Sequence, residues 1–406
     1  MPNSMILKGG LICDGSGSPP RHGDVRFNGG KITDISEHIP PGDALVVDVE
    51  GMIVAPGLID FHTHVYDEMN LHSVAPADAG LRTGVSTLLD TGSAGAMNYG
   101  TFAKYVIPHA AENIYTLLNI SQFGVQGHPE IPPFIGDLHD LQHLDPRPAL
   151  RCIEQHPERI VGVKARLTAD LADNREENER TALANALSVS RKTGLICYIH
   201  HIASGVPVGD VLKELRAGDV LTHFYHGRGD GGFAADGSPG RAMIEARDRG
   251  VLFDVGHGSG SFVWRIAEPA CQGHDFWPDT ISSDIHKFNL QTPVIDMPTT
   301  MSKFLYLGMK LEKVIQCVTS NPAAGMRQQH HLGLLAPGRS ADITILQSVK
   351  GRHGLIDSEG VERIAKERLV PVCVFKNGKR FDCAVDYAPA VNVERRNTMS
   401  GMSQSA

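Results

Sequence analysis

Gly57-Leu-Ile-Asp-Phe-His-Thr-His64 carries a short apolar run directly into two histidines one residue apart. If the run is a strand, alternate side chains share a face, so His62 and His64 project to one side and can grip a single metal ion. Taken alone, a His-x-His pair is more often a polar loop. Its meaning depends on what stands at the ends of the other apolar runs.

Runs of the same kind recur at 57–61, 85–89, 114–120, 160–164, 195–201, 220–223, 251–255 and 280–284, separated by longer stretches rich in helix formers. Repeated strand and helix units of this spacing predict a parallel α/β architecture, and eight of them predict a closed (β/α)8 TIM barrel. Catalytic groups of that fold sit at the C-terminal ends of the strands. Polar residues fall at those ends here: His62 and His64 after the first run, Lys164 at the fourth, His200 and His201 at the fifth, His223 at the sixth and Asp284 at the eighth.

Outside the repeat, short runs bounded by Gly, Pro or Asp occupy the first fifty residues and return in Ala341-Asp-Ile-Thr-Ile-Leu346 and Val370-Pro-Val-Cys-Val-Phe-Lys-Asn-Gly-Lys379, where Asn377-Gly378 is a hairpin signal. The two ends are expected to join in one small β domain. The domains expected are 1–53 and 333–387 for this β domain, 54–332 for the metal-binding barrel and 388–406 for a flexible tail. A chain of 406 residues with 41% hydrophobic and 21% charged side chains can bury a large core. Its formal charge of −8 argues against a nucleic-acid or anionic-membrane partner. The seven scattered cysteines, with no CxxC pair, read as reduced thiols, and no run is long enough for a membrane helix, so a cytoplasmic protein is expected.

Lys164 closes an apolar strand that should lie inside the barrel, where an ammonium is costly. Either a carboxylate such as Asp284 pairs with it, or desolvation and nearby cations lower its pKa until the neutral amine takes up carbon dioxide as an anionic carbamate, able to bridge two ions. His201 and His223 are candidate ligands for the second ion. His200 competes with His201, because neighbours on a strand face opposite ways and the register is open. Asp284 is placed to act as general base beside the metal. Arg166, His257 and His286 are candidate substrate contacts, the arginine through a bidentate grip on a carboxylate.

These residues, with Ser320-Asn-Pro-Ala-Ala324 and Leu332-Gly-Leu-Leu-Ala-Pro-Gly-Arg-Ser-Ala-Asp342, resemble the amidohydrolase superfamily over nearly the whole chain, which implies that the β domain of the two ends, 1–53 and 333–387, is a small β-sandwich. Gly162-Val-Lys-Ala-Arg166, Thr222-His-Phe-Tyr-His-Gly227, Asp254-Val-Gly-His257 and Asp296-Met-Pro-Thr-Thr-Met-Ser-Lys303 are similar to its dihydroorotase-like amidohydrolase/deacetylase subgroup. The resemblance implies a binuclear centre: His62 and His64 on the more buried ion, carboxylated Lys164 bridging, His201 and His223 on the other, and Asp284 on the first ion as base. It favours His201 because the family's ligand is followed by Ile and a small residue, as in His201-Ile-Ala203. Two divalent ions are expected, zinc favoured by the nitrogen-rich donors, with manganese or cobalt able to serve.

The activity expected is hydrolysis of an amide or ester bond in a small acylated carboxylic acid, by attack of a hydroxide bridging the ions. A dihydroorotase-like cyclic amidohydrolase and a one-metal deaminase are the neighbouring alternatives. A non-catalytic scaffold is the reading from another class, opposed by the filled ligand positions. The partner expected is a small-molecule substrate, with a homo-oligomer left open.

Overall fold

The computed structural model describes residues 4–69, 72–125 and 135–384. The expected tail at 388–406 and the last residues of the second sandwich segment lie outside them.

Both ends of the chain build one mixed sheet. Strands β1 (Ser4–Ile12), β2 (Arg21–Asn28), β3 (Lys31–Ser36), β4 (Leu45–Asp48) and β5 (Ile53–Pro56) come from the start of the chain. The barrel supplies β6 (Leu58–Thr63), β7 (Val85–Gly95), β8 (Asn113–Asn119), β9 (Ile160–Leu167), β10 (Ile196–His201), β11 (Val220–Thr222) and β12 (Leu252–Asp254). The end of the chain adds β13 (Ile343–Ile356), β14 (Glu362–Lys376) and β15 (Lys379–Asp382). The mixed sheet runs β15-β14-β13-β5-β1-β2-β3, with β4 also on β1, and the two ends meet where β13 pairs antiparallel with β5. Its own core contains Leu7, Val25, Phe27, Ile343, Ile345 and Phe375. The Asn377-Gly378 turn between β14 and β15 carries φ of 49° and 76°, the left-handed pair that a two-residue hairpin turn requires.

The second sheet is parallel throughout, in the order β6 to β12. Every residue of β6 and β7 is buried, as expected of strands covered on both faces. The covering helices are set by local chemistry: Glu176–Thr193 has Glu176, Glu177 and Glu179 in its first turn and Arg191 and Lys192 in its last, matching the helix dipole, and stops at Gly194 in the left-handed region.

The eighth expected strand takes a different form. Residues 280–285 close the gap through single bridges, Asp254 with Thr280 and Thr63 with Ile285, instead of a continuous ladder. Asp284 has φ of 49°, which turns the chain out of strand geometry while its N–H still reaches the His62 carbonyl at 2.8 Å. The barrel is therefore nearly closed by seven strands and one irregular segment. All seven cysteines are free, and among the described residues no helix is long and apolar enough to cross a membrane.

Candidate active site

The C-terminal ends of the barrel strands open into a cavity of about 490 Å³. At its base, Asp284 Oδ1 lies 3.3 Å from His62 Nε2 and 3.4 Å from His64 Nε2. These three residues each offer a ligand atom, all within 4.8 Å of one another. Lys164 is wholly buried, its Nζ 3.4 Å from His62 Nε2 and 4.4 Å from the centre of the Tyr198 ring. Among the described residues no carboxylate forms an ion pair with it. Burial pushes its pKa down to about 7, partly opposed by Asp284.

The sequence leaves the fifth strand's register open, and the structure turns His200, not His201, toward the cavity. Tyr198 points into the barrel, its hydroxyl 3.3 Å from His62 Nδ1 and 2.6 Å from Asp254. Two residues on, His200 shares that face: its ring centre is 4.4 Å from that of His223, and it lines the cavity. His201 faces the other way, with Nε2 bonded to the Val206 carbonyl at 2.8 Å. The structure thus brings His62, His64, Lys164, His200, His223 and Asp284 together and leaves His201 out.

The tautomers suit a metal. Thr222 and Tyr198 both direct their hydroxyl hydrogens to Asp254, at 2.7 and 2.6 Å, so His62 Nδ1, 3.1 Å from Thr222 Oγ1, is the donor and its Nε2 keeps a lone pair toward Lys164 and Asp284. His223 Nδ1 donates to the Gly256 carbonyl at 2.7 Å, and its buried Nε2 has no hydrogen-bond partner among the described residues. Burial holds His64 down to about 3 and His62, His200 and His223 well below the ordinary histidine value, so all four are neutral, the form that binds metal. An orphaned imidazole nitrogen beside a buried lysine and a His-His-Asp cluster fits divalent ions. His223 and Asp284 both hold left-handed backbone, φ 71° and 49°, a strain of the order of 1 kcal/mol each that surrounding contacts must impose.

Asp254, noted in the sequence only as part of a motif, is the anchor beneath the site. Its carboxylate accepts from Tyr198, Thr222, Thr280 and Ser282 at 2.6–2.7 Å and stays wholly buried. Its place at the end of β12 was a legible signal; its partners lie on three other segments and were not. His72 was missed as well. It lines the cavity, stacked on His286 with ring centres 4.0 Å apart.

The three expected substrate contacts divide. His286 lines the cavity. Arg166 lines it too, with one amino group 3.0 Å from buried Asp137. His257 does not reach it, since its ring is wholly buried against Phe262 with Nε2 2.6 Å from Lys303 Nζ. The glycine-rich loop turns that imidazole inward. Two residues unforeseen from sequence, Ser358 and Glu359, bring the tip of the β13–β14 hairpin to the cavity wall.

A profile of the amidohydrolase family matches residues 274–381. A deacetylase of Enterococcus faecalis (strain ATCC 700802 / V583) is 32% identical over 390 residues, covering 94% of this chain and 100% of that protein. Deacetylase Atu3266 of Agrobacterium fabrum is 30% identical over 348 residues, 85% of this chain and 83% of that protein. Among solved structures, a dihydroorotase (26% identity, TM-score 0.83, 94% of this chain and 98% of that one) and an adenine deaminase (28%, 0.83, 93% and 99%) share the fold. With full-length relatives at this identity and a barrel carrying such a cluster, the chain belongs to the amidohydrolase family of hydrolases.

Proposed function

We propose that the chain is a binuclear metal hydrolase that cleaves the amide or ester bond of a small acylated carboxylic acid, a deacetylase in type. The observation that carries this is Lys164: a buried amine with no ion-pairing carboxylate among the described residues, a pKa lowered to about 7 by burial, and His62, His200 and His223 around it. Carboxylated by carbon dioxide, Lys164 would bridge the ions, with His62, His64 and Asp284 holding one and His200 and His223 the other. Zinc suits these donors best. Ions bound there would acidify water and polarise the acyl carbonyl.

Asp284 then takes the proton released as water adds to the carbonyl carbon, and returns it to the leaving nitrogen or oxygen as the C–N or C–O bond breaks. Leu171, Ile202 and Val263 give the cavity apolar wall for the substrate's side chain, and His72 and His286 supply polar contacts. The curated relatives named deacetylases support this reading. The likeness to a solved dihydroorotase keeps ring-amide opening as the second reading.

The test is a panel of N-acetyl amino acids, O-acetyl hydroxy acids and cyclic amides with protein loaded with zinc, manganese or cobalt. Release of acetate with up to two ions bound per chain is expected. A fully loaded enzyme that opens only rings, or a preparation with neither metal nor a modified Lys164, overturns the reading.

A further inference from the structure

Lys303 lies in the helix Met297–Leu307, wholly buried and outside the cavity lining. Its Nζ is 2.6 Å from His257 Nε2, 3.0 Å from the Pro293 carbonyl and 2.6 Å from the Ile356 carbonyl. His257 Nδ1 faces the carbonyl of Gly258 at 3.0 Å, so Nδ1 carries the hydrogen and Nε2 presents a lone pair. All three neighbours are therefore acceptors, and an ammonium has three hydrogens. Lys303 is a filled three-way tie.

The three tied segments all lead to the cavity. His257 opens the loop after β12, whose Ser259, Gly260 and Ser261 line it. Pro293 ends the stretch that follows Asp284 and His286. Ile356 is the last residue of β13, two before Ser358 at the hairpin tip. Further bonds join tip and loop: Ser358 N donates to the Phe262 carbonyl at 2.9 Å, and Trp264 N donates to Asp357 Oδ2 at 2.9 Å. One wall of a barrel cavity is thus made partly from the mixed sheet, and its two halves meet at the buried Lys303 amine.

We propose that Lys303 is a positioning residue for substrate selection, pinning the hairpin tip and the loop after β12 at a fixed separation so that this wall discriminates among substrates by bulk. The inference rests on the reading of the cavity as an acylated-acid site and names the device that sets its selectivity. Lys303 touches no reacting atom and acts through His257 and the Ile356 carbonyl.

The experiment compares Lys303→Met, His257→Leu, His257→Gln and the double variant Lys303→Met/His257→Leu with wild type on N-acetyl glycine, alanine, leucine and phenylalanine. The readout is the ratio of kcat/KM between the best and worst substrate, which loss of folded enzyme alone leaves unchanged. Both single apolar variants are expected to shrink that ratio at least tenfold, and the double variant no further, because residues acting through one contact are not additive. Glutamine at 257, with an acceptor at similar reach, is expected to recover most of it. Amide hydrogen exchange gives a reading independent of substrate: faster exchange at 257–263 and 356–361 with 58–63 unchanged is expected. Unchanged or additive ratios, or exchange that rises equally everywhere, overturn the proposal. If wild type cleaves no acylated acid, the functional reading fails and the selectivity claim with it, while the exchange pattern still decides whether Lys303 pins the wall.

Discussion

Lowering the pH should switch off carboxylation of Lys164 over a window that its surroundings define. The reaction joins the neutral amine to carbon dioxide and releases a proton, so its rate at fixed dissolved carbon dioxide follows the fraction of neutral amine. With the pKa pushed from 10.5 down to about 7 by burial, that fraction is about 10% at pH 6 and about 90% at pH 8, a roughly tenfold rise that then levels off. An ordinary lysine would instead climb about a hundredfold over the same two units and keep climbing. The neighbouring histidines do not blur the window: His64 is held at about 3 and His62, His200 and His223 well below their ordinary value, so none changes charge between pH 6 and 8. The assay strips metal and carbon dioxide from the enzyme, restores zinc at clamped carbon dioxide, and follows recovery of hydrolysis against pH, with Lys164→Met as control. Recovery that is as fast without carbon dioxide, or that rises steadily past pH 9, would exclude carboxylation of a Lys164 amine with a lowered pKa.

Four substitutions probe the frame around the site. His200→Asn should lower metal content from two ions toward one per chain by elemental analysis, whereas His201→Asn should keep two and lose about 1 kcal/mol of unfolding free energy for the bond to Val206. Gly92→Ala should fail at the lysine, because Gly92 has φ of 92° and an added Cβ would sit 3.0 Å from Lys164 Cβ and Cγ; a cost of about 2 kcal/mol in denaturant unfolding and loss of bound metal are expected, and full metal content would contradict it. Asp254→Asn removes one acceptor oxygen from beneath four hydroxyls, and metal affinity should fall about 10- to 100-fold by competition with a chelator.

Much of this architecture is legible because each barrel strand is an apolar run ending in a residue that chemistry needs. Lys164 shows why: a lysine closing Ile160-Val-Gly-Val has no cheap place in a core, and its burial confirms the setting that the sequence implies. The fifth strand shows the limit. His200 and His201 both end an apolar run, and only the direction of Tyr198, fixed by Asp254 on a distant strand, decides which imidazole enters the barrel. The pattern of residues after the histidine points to His201, whereas the strand turns His200 into the cavity, since side-chain facing is set by pairing across the sheet. The eighth strand fails for a related reason: the left-handed Asp284 that brings its carboxylate to His62 and His64 also breaks the ladder.

His257 carries the same argument to the edge of the site. From the sequence it is a histidine in a glycine-rich loop at a barrel mouth, a natural substrate contact. What turns it inward is Lys303, 46 positions further along the chain, whose three donors need three acceptors in the dry space between barrel and hairpin. The buried Lys303 amine takes the nearest lone pair, and that contact holds the His257 ring in the dry wall behind the cavity lining. The polar lining of the cavity includes His72, His286, Arg166 and Arg228 together with Ser358 and Glu359 of the hairpin tip, so the β13–β14 hairpin shares the wall with the barrel loops.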